Sequence, residues 1–424
     1  MHSKDRALKS NSQHYHEHLF RNHDESDSQV SYERVDLGSK EITLPSHHLL
    51  TKNITHRSVI LPAQTSISST MLVSGGRIDF LIEKDNYYIR SMYLEVVVTN
   101  TSATTAQQLS PSQMILEEVK LIGNNKTEFI NMTGLDLYTA ACTFMSNAQI
   151  QSEAITTNLS TAWVANATIA AGVTKKYYIP LNDLLPKDSM FGWPMFNHRN
   201  LKMEVKFRGA SAIEVNSSAG DGLPLRLDNV QLILETTHFP HNEVSALRNI
   251  HQLEKSFRYL YWNEQKFTQA LAASTTYNFK LSSIKGLTPF FWIYLLPNAH
   301  TAQNSYRPSA LNAWIERIEL RDDNNSSISN SHQIDGDFIK NSQVARKLDT
   351  GHFVSGPSYF VSFGPDPMIT YHENIHGGYE YIDDTNINIT TKSTLASATY
   401  EIYFIVPTYA LLTIKEDGQI LYEK

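Results

Sequence analysis

Cysteine is all but missing: Cys142 is the only one in 424 residues. No intramolecular disulfide and no multi-cysteine metal site can form, which excludes the small secreted scaffold and the zinc ribbon and points to a reducing compartment. Long hydrophobic runs are missing too. The longest, Phe290 to Leu296, is far below the roughly 20 residues needed to span a bilayer. The N-terminal MHSKDRALKSNSQHYHEHLF has no apolar stretch of signal-peptide length, so the expectation is a soluble, unexported protein. An excess of positive charge is also lacking, with 36 Lys and Arg against 43 Asp and Glu. That balance weighs against a phosphate-neutralising surface and against direct sequence-specific nucleic-acid binding.

What is present is globular. Hydrophobic residues make up 41% of the chain and aromatic residues 10%, enough for a large core. At about 150 residues per domain the length suggests three domains, but all-β domains run longer, so two fit equally well. Residues 1–55 are polar and carry His2, His14, His16, His18, His23, His47 and His48. They read as a flexible arm, since they could bury little apolar surface. Alternating His14, His16 and His18 could instead share a cation or charge together below about pH 6.5. Asn-x-Ser/Thr sequons, as at Asn125, Asn131, Asn158, Asn166 and Asn388, read as by-products of an Asn/Ser/Thr-rich composition.

From about residue 56 short β-type runs alternate with turn residues. In Leu201 to Phe207 apolar and charged side chains alternate strictly, the pattern of a strand with one wet and one buried face. If so, Val205→Asp should prevent folding, while Glu204→Lys at the exposed neighbouring position should be mild. Further strands are expected at Arg77 to Glu83, Tyr87 to Thr99, Leu116 to Ile122, Leu227 to Thr236, Phe257 to Trp262, Tyr277 to Leu281, Phe290 to Leu296, Trp314 to Leu320, Tyr400 to Val406 and Ala410 to Ile414. Many short strands imply a sandwich or barrel. Helices are expected only at Leu135 to Asn147 and at Glu243 to Lys255, the latter as a connector. LEEVKLIGNN from Leu116 aligns with IERIELRDDN from Ile315, pairing Leu116 with Ile315, Val119 with Ile318 and Leu121 with Leu320. Each copy follows a Pro-Ser pair, at Pro111 and Pro308. A duplicated β domain fits this repeat.

Three stretches carry a family resemblance. Tyr177-Tyr178-Ile179-Pro180-Leu181, then Trp193-Pro194 and the strand from Leu201 to Phe207, form the first. Leu232 to Glu235, then Glu243 and Leu253 to Tyr261, form the second. The closing run Tyr400 to Ile414, read as a final strand pair, is the third. In element order the chain resembles the double jelly-roll major capsid proteins of tailless icosahedral double-stranded DNA viruses, including adenovirus-like, polinton-like, virophage and large eukaryotic DNA virus lineages.

The resemblance implies an all-β fold of two tandem eight-stranded jelly-roll sandwiches with a few short helices in loops. Residues 1–55 would be the arm, 56–242 the first jelly roll, 243–256 a linker helix and 257–424 the second. It further implies a virion protein, made in the host cytoplasm, whose homotrimers form pseudo-hexameric capsomers. Its partners would be further copies of itself, minor capsid and penton proteins, and an internal membrane as a candidate contact of the arm. Loops Thr101 to Ser112 and His300 to Pro308 would be candidates for the outward rim. No catalytic residue, cofactor or metal ligand is implied.

Other chemistry is weaker. His372-Glu373-Asn374-Ile375-His376 matches H-E-x-x-H, but zinc chemistry needs a helix to aim both histidines at one metal and the glutamate at its water. Here Gly364-Pro365-Asp366-Pro367 and Gly377-Gly378 flank the motif and leave at most two turns, so a loop between strands is favoured over a peptidase using His372, Glu373 and His376. Asp322-Asp323-Asn324-Asn325-Ser326, with Asp335 and Asp337 nearby, lacks EF-hand spacing and reads as a polar turn. His238, His241 and Glu243 read as a solvated linker. A β-sandwich that binds glycans or a receptor is the alternative from another class.

Overall fold

The computed structural model describes residues 32–37, 40–45, 55–83, 87–109, 112–123, 128–144, 168–185, 193–195, 200–209, 213–215, 224–238, 255–282, 284–297, 314–321, 333–337, 359–363, 379–381, 385–414 and 420–423. A hairpin pairs Tyr32–Leu37 with Lys40–Pro45. The two main sheets of the first half are then built from β1 (Thr55–Pro62), β2 (Gly76–Ile82), β3 (Tyr87–Asn100), β4 (Leu116–Ile122), β5 (Glu128–Thr133), β6 (Thr174–Pro180), β7 (Leu201–Phe207) and β8 (Leu225–His238). Those of the second are built from β9 (Lys255–Leu271), β10 (Thr276–Leu281), β11 (Phe290–Pro297), β12 (Ile315–Arg321), β13 (Gln333–Asp335), β14 (Tyr359–Ser362), β15 (Thr385–Thr391) and β16 (Ala398–Ile414), with short strands besides in each half.

In their main sheets the two halves have the same topology. The first half forms antiparallel sheets β6-β3-β8-β1 and β2-β7-β4-β5, and the second forms β14-β11-β16-β9 and β10-β15-β12-β13. Adding eight to each strand number of the first pair produces the second. The repeat seen in sequence therefore falls on equivalent strands, β4 and β12, each third in its sheet. Leu116, Val119 and Leu121 are buried, as are Ile315, Ile318 and Leu320.

The alternation in β7 is realised as expected: Leu201, Met203, Val205 and Phe207 are each at most 2% exposed. Glu204 differs from the expectation of an exposed position. It pairs with Arg77 and, at 2.9 Å, with Lys202, which also reaches Asp79 at 2.9 Å. The strict register of β7 against β2 places Glu204 directly opposite Asp79, so two cations and two anions interlock across the wet face.

Three boundaries also depart from the sequence expectations. Tyr400 to Ile414 lies within one 17-residue strand, Ala398–Ile414, and is not a strand pair, because Pro407 lies within a ladder that continues unbroken against β9. Phe257 to Trp262 is part of a strand reaching Leu271. The first helix, α1 (Gly134–Phe144), begins directly after β5. The expected linker helix from Glu243 to Lys255 lies outside the described residues except for Lys255, which is already in β9.

Glycine is required at two equivalent places. A Cβ on Gly134 would lie 2.2 Å from the Leu116 carbonyl oxygen, and one on Gly336 would lie 2.1 Å from that of Ile315. In both halves the chain leaving the fifth strand of its set crosses against the start of the fourth, at a distance only hydrogen permits.

Two predictions follow from this packing. Val205→Asp buries an unpaired charge and should yield no soluble folded protein, whereas Glu204→Lys should cost about 1 kcal/mol, seen as a modest fall in melting temperature. Gly134→Ala and Gly336→Ala should each lower the melting temperature, because backbone and not a pliable side chain opposes the methyl group. Melting temperatures unchanged in both glycine variants would contradict the close approach.

Candidate functional site

The region where the halves meet is built from side chains that alternate along single strands. In β11, Phe290, Trp292, Tyr294 and Leu296 join the core of the first half, while Phe291, Ile293 and Leu295 join that of the second. In β16, Tyr403 and Ile405 face one way and Ile402, Phe404 and Val406 the other. The sheet β14-β11-β16-β9 is thus covered on both faces, which explains why Phe290 to Leu296 has no polar alternation.

Helix α1 is the first half's side of the junction. Trp292 Nε1 donates to Thr143 Oγ1 at 3.0 Å, and the Tyr294 and Thr139 hydroxyls lie 2.9 Å apart. Both threonines donate back to the preceding turn, to Leu135 and Thr139 carbonyls. Their remaining lone pairs are what the two aromatic donors need.

The start of α1 is fixed by a reciprocal cap. Asp136 N–H donates to Thr133 Oγ1 at 3.1 Å, and Thr133 N–H donates to Asp136 Oδ2 at 2.9 Å. Thr133 Oγ1 then donates to Glu264 Oε2 of β9 at 2.6 Å. One hydroxyl therefore ties the first half to the second. Asp136 is 2% exposed, and its Oδ1 has no hydrogen-bond partner among the described residues. Burial, reinforced by the charge of Glu264, raises the Asp136 carboxyl to about 8 against the hydrogen bonds from Thr133. Burial also raises Glu264, opposed by Thr133, Arg208 and Lys266. Two carboxyls confined in this way favour sharing a proton.

The Thr133-x-x-Asp136 spacing is a sequence signature for the helix start that the periodicity reading passed over. Nothing in the sequence could have marked Glu264 as its partner.

At one end of the first sandwich, strand Gln107–Leu109 pairs with Ile213–Val215 and with Thr168–Ile169. Buried Asn100 ties this end together, donating to the carbonyls of Thr105 at 2.9 Å and Ile169 at 3.0 Å. Of the two rim loops expected from sequence, Thr101 to Ser112 begins here, and His300 to Pro308 lies outside the described residues.

Of the candidate metal residues, His238, Asp335 and Asp337 are among the described residues. His14, His16, His18, Asp322 to Ser326, His241, Glu243 and the motif residues His372, Glu373 and His376 all lie outside the described residues. His238 bonds Thr236 at 2.9 Å and packs beside the Tyr87 ring. Asp335 and Asp337 are exposed, with Asp337 paired to Lys392. Among the described residues, no three His, Cys, Asp or Glu side chains gather as a metal site.

Comparison with solved structures decides the fold. PBCV-1 VP54, fitted into a cryo-EM reconstruction of the virophage Sputnik, superposes with a TM-score of 0.67 at 13% identity, over 88% of this chain and 97% of that one. The quasi-atomic model of the PBCV-1 virus capsid gives 0.65 at 14%, covering 88% and 97%. The mavirus major capsid protein gives 0.54 at 10%, covering 95% and 93%. The fold is the double jelly roll. No family model matches the chain, and no curated protein matches it in sequence. At these identities the likeness shows the fold alone.

The carboxyl pair leads to a pH prediction. A folded-state value raised above the unfolded one means that the native state holds a proton the unfolded chain has released. Stability should therefore fall as pH rises from about 4 to about 8, by about 1.4 kcal/mol per unit for one group, and level off above. Asp136→Asn should flatten this slope and raise stability at pH 8, as measured by urea unfolding across pH. An unchanged slope would contradict the assignment.

Proposed function

We propose that this chain is a structural virion protein, a major capsid protein whose homotrimers form pseudo-hexameric capsomers that tile an icosahedral shell. The observation that carries the reading is the duplication itself. Two sandwiches of identical strand order stand side by side in one chain, and the structures they resemble over nearly their whole length are those of viral capsids. Three copies around an axis present six similar wedges, and a nearly hexagonal outline tiles a flat facet. The role is structural and needs no catalytic group, cofactor or metal.

In this reading residues 1–55 are an arm, 56–242 and 257–424 the two jelly rolls, and 243–256 the link between them. The arm has seven Lys and Arg against eight Asp and Glu in residues 1–56, which fits a clasp on a neighbouring copy, or contact with an internal membrane, better than a grip on DNA. The protein would reside in the virion after synthesis in the host cytoplasm, with minor capsid and penton proteins as further partners.

Negative-stain electron microscopy and light scattering on one purified sample test this proposal. The expected result is particles of three times the 48.1 kDa chain mass, threefold with a hexagonal outline, or closed shells. Monomers at every concentration up to tens of micromolar would overturn it.

A further inference from the structure

Strands β3 and β11 hold equivalent places but not equivalent lengths. β3 lies opposite β8 all the way from Tyr87 with His238 to Asn100 with Leu225. β11 lies opposite β16 only from Trp292 with Ile405 to Pro297 with Tyr400. The cause is local. β11 is preceded by Pro289, which has no N–H to give a ladder, and the residues before it, Gly286–Thr288, pair with Tyr379–Tyr381 instead. β11 therefore stops short of the far end of β16.

That end is filled from elsewhere in the chain. β17 (Ile420–Glu423) pairs antiparallel with β16, with Ile414 opposite Ile420, Thr413 opposite Leu421, Leu412 opposite Tyr422 and Leu411 opposite Glu423. The other edge of the same four residues is held by β9, from Lys255 opposite Ile414 to Arg258 opposite Leu411. β17 thus runs in line with β11 and in the same direction, in the place a full-length strand would occupy. The place is also a joint. Leu412 is fully buried and belongs to the core of the first half. β5 of the first half packs against both β9 and β17, and the same strand ends in Thr133, which donates to Glu264. A four-residue strand is held by few bonds, so it is an element that opens before the rest.

We propose that the β16 edge at Leu411–Ile414, beside β5, is a strand-binding slot whose ligand is an extended peptide and whose occupant is β17. Backbone pairing supplies the affinity, as wherever a peptide adds a strand to a sheet edge. Filling the slot fastens the second half to the first, because β17 pairs with β16 of one half and packs on β5 of the other. This holds for a single chain and does not depend on the capsomer reading.

The test compares the full chain with one stopped after Gly418, using circular dichroism and hydrogen exchange read by mass spectrometry, and adds a fluorescent peptide of residues 418–424. The shortened chain should melt at least about 2 °C lower and exchange the amides of residues 411–414 and 128–133 at least about tenfold faster. The peptide should bind it saturably and restore both segments, and the same peptide carrying Leu421→Pro should not bind. Unchanged exchange in both segments would overturn the proposal. So would a peptide that fails to bind at about 1 mM, or one that binds equally well with Leu421→Pro. Faster exchange at 411–414 with 128–133 unchanged would overturn the fastening of one half to the other. If the shortened chain does not fold, a protease site placed in residues 415–419 and cut after folding releases β17 for the same measurements.

Discussion

The structure depends on one sheet having no wet face. In β11 each successive side chain goes to a different core: Phe291, Ile293 and Leu295 to the second sandwich, and Trp292, Tyr294 and Leu296 to the first. A sheet so placed fuses two sandwiches into one packed body, because neither half can withdraw without exposing indole and phenol rings. The cost lies in the polar atoms carried by those rings. Trp292 and Tyr294 satisfy them on the back-bonded hydroxyls of Thr143 and Thr139, so the helix that covers the sheet also answers its hydrogen-bonding needs.

The same economy explains the placement of the carboxyls. Thr133 caps its own helix and at the same time donates to Glu264, which puts Asp136 and Glu264 in a common enclosed space. A salt bridge at this place would have needed a cation desolvated at considerable cost. A proton held by the pair leaves it a single negative charge, eased by the Thr133 hydroxyl and by the charges of Arg208 and Lys266, and makes the joint between the halves sensitive to alkali.

Duplication has left equivalence where backbone decides and difference where side chains do. Strand order and the glycine that lets the fifth strand of each set leave past the fourth are common to both halves. The outer sheet faces differ in side chains: Trp292 and Tyr294 are enclosed in the second half, whereas Ile60 at the edge of the first is 57% exposed.

The strands with one wet face were legible in the sequence, because alternation has a period of two and survives without any partner. Leu201 to Phe207 and Leu116 to Ile122 coincide with β7 and β4 to the residue, and the repeat between Leu116 and Ile315 marked equivalent strands. The buried strands were legible as strands but not in their ends. Tyr400 to Val406 and Ala410 to Ile414 read as two strands, which pairing with β9 joins into one, and Phe257 to Trp262 hid the polar continuation to Leu271. Local pattern determined the all-β class, the doubling and the inward faces. Only tertiary structure decided which sheet became the middle layer, that Thr133 meets Glu264 across 131 residues, and that Ile60 stays in the open. These depend on which faces come to oppose one another, and no local period records that.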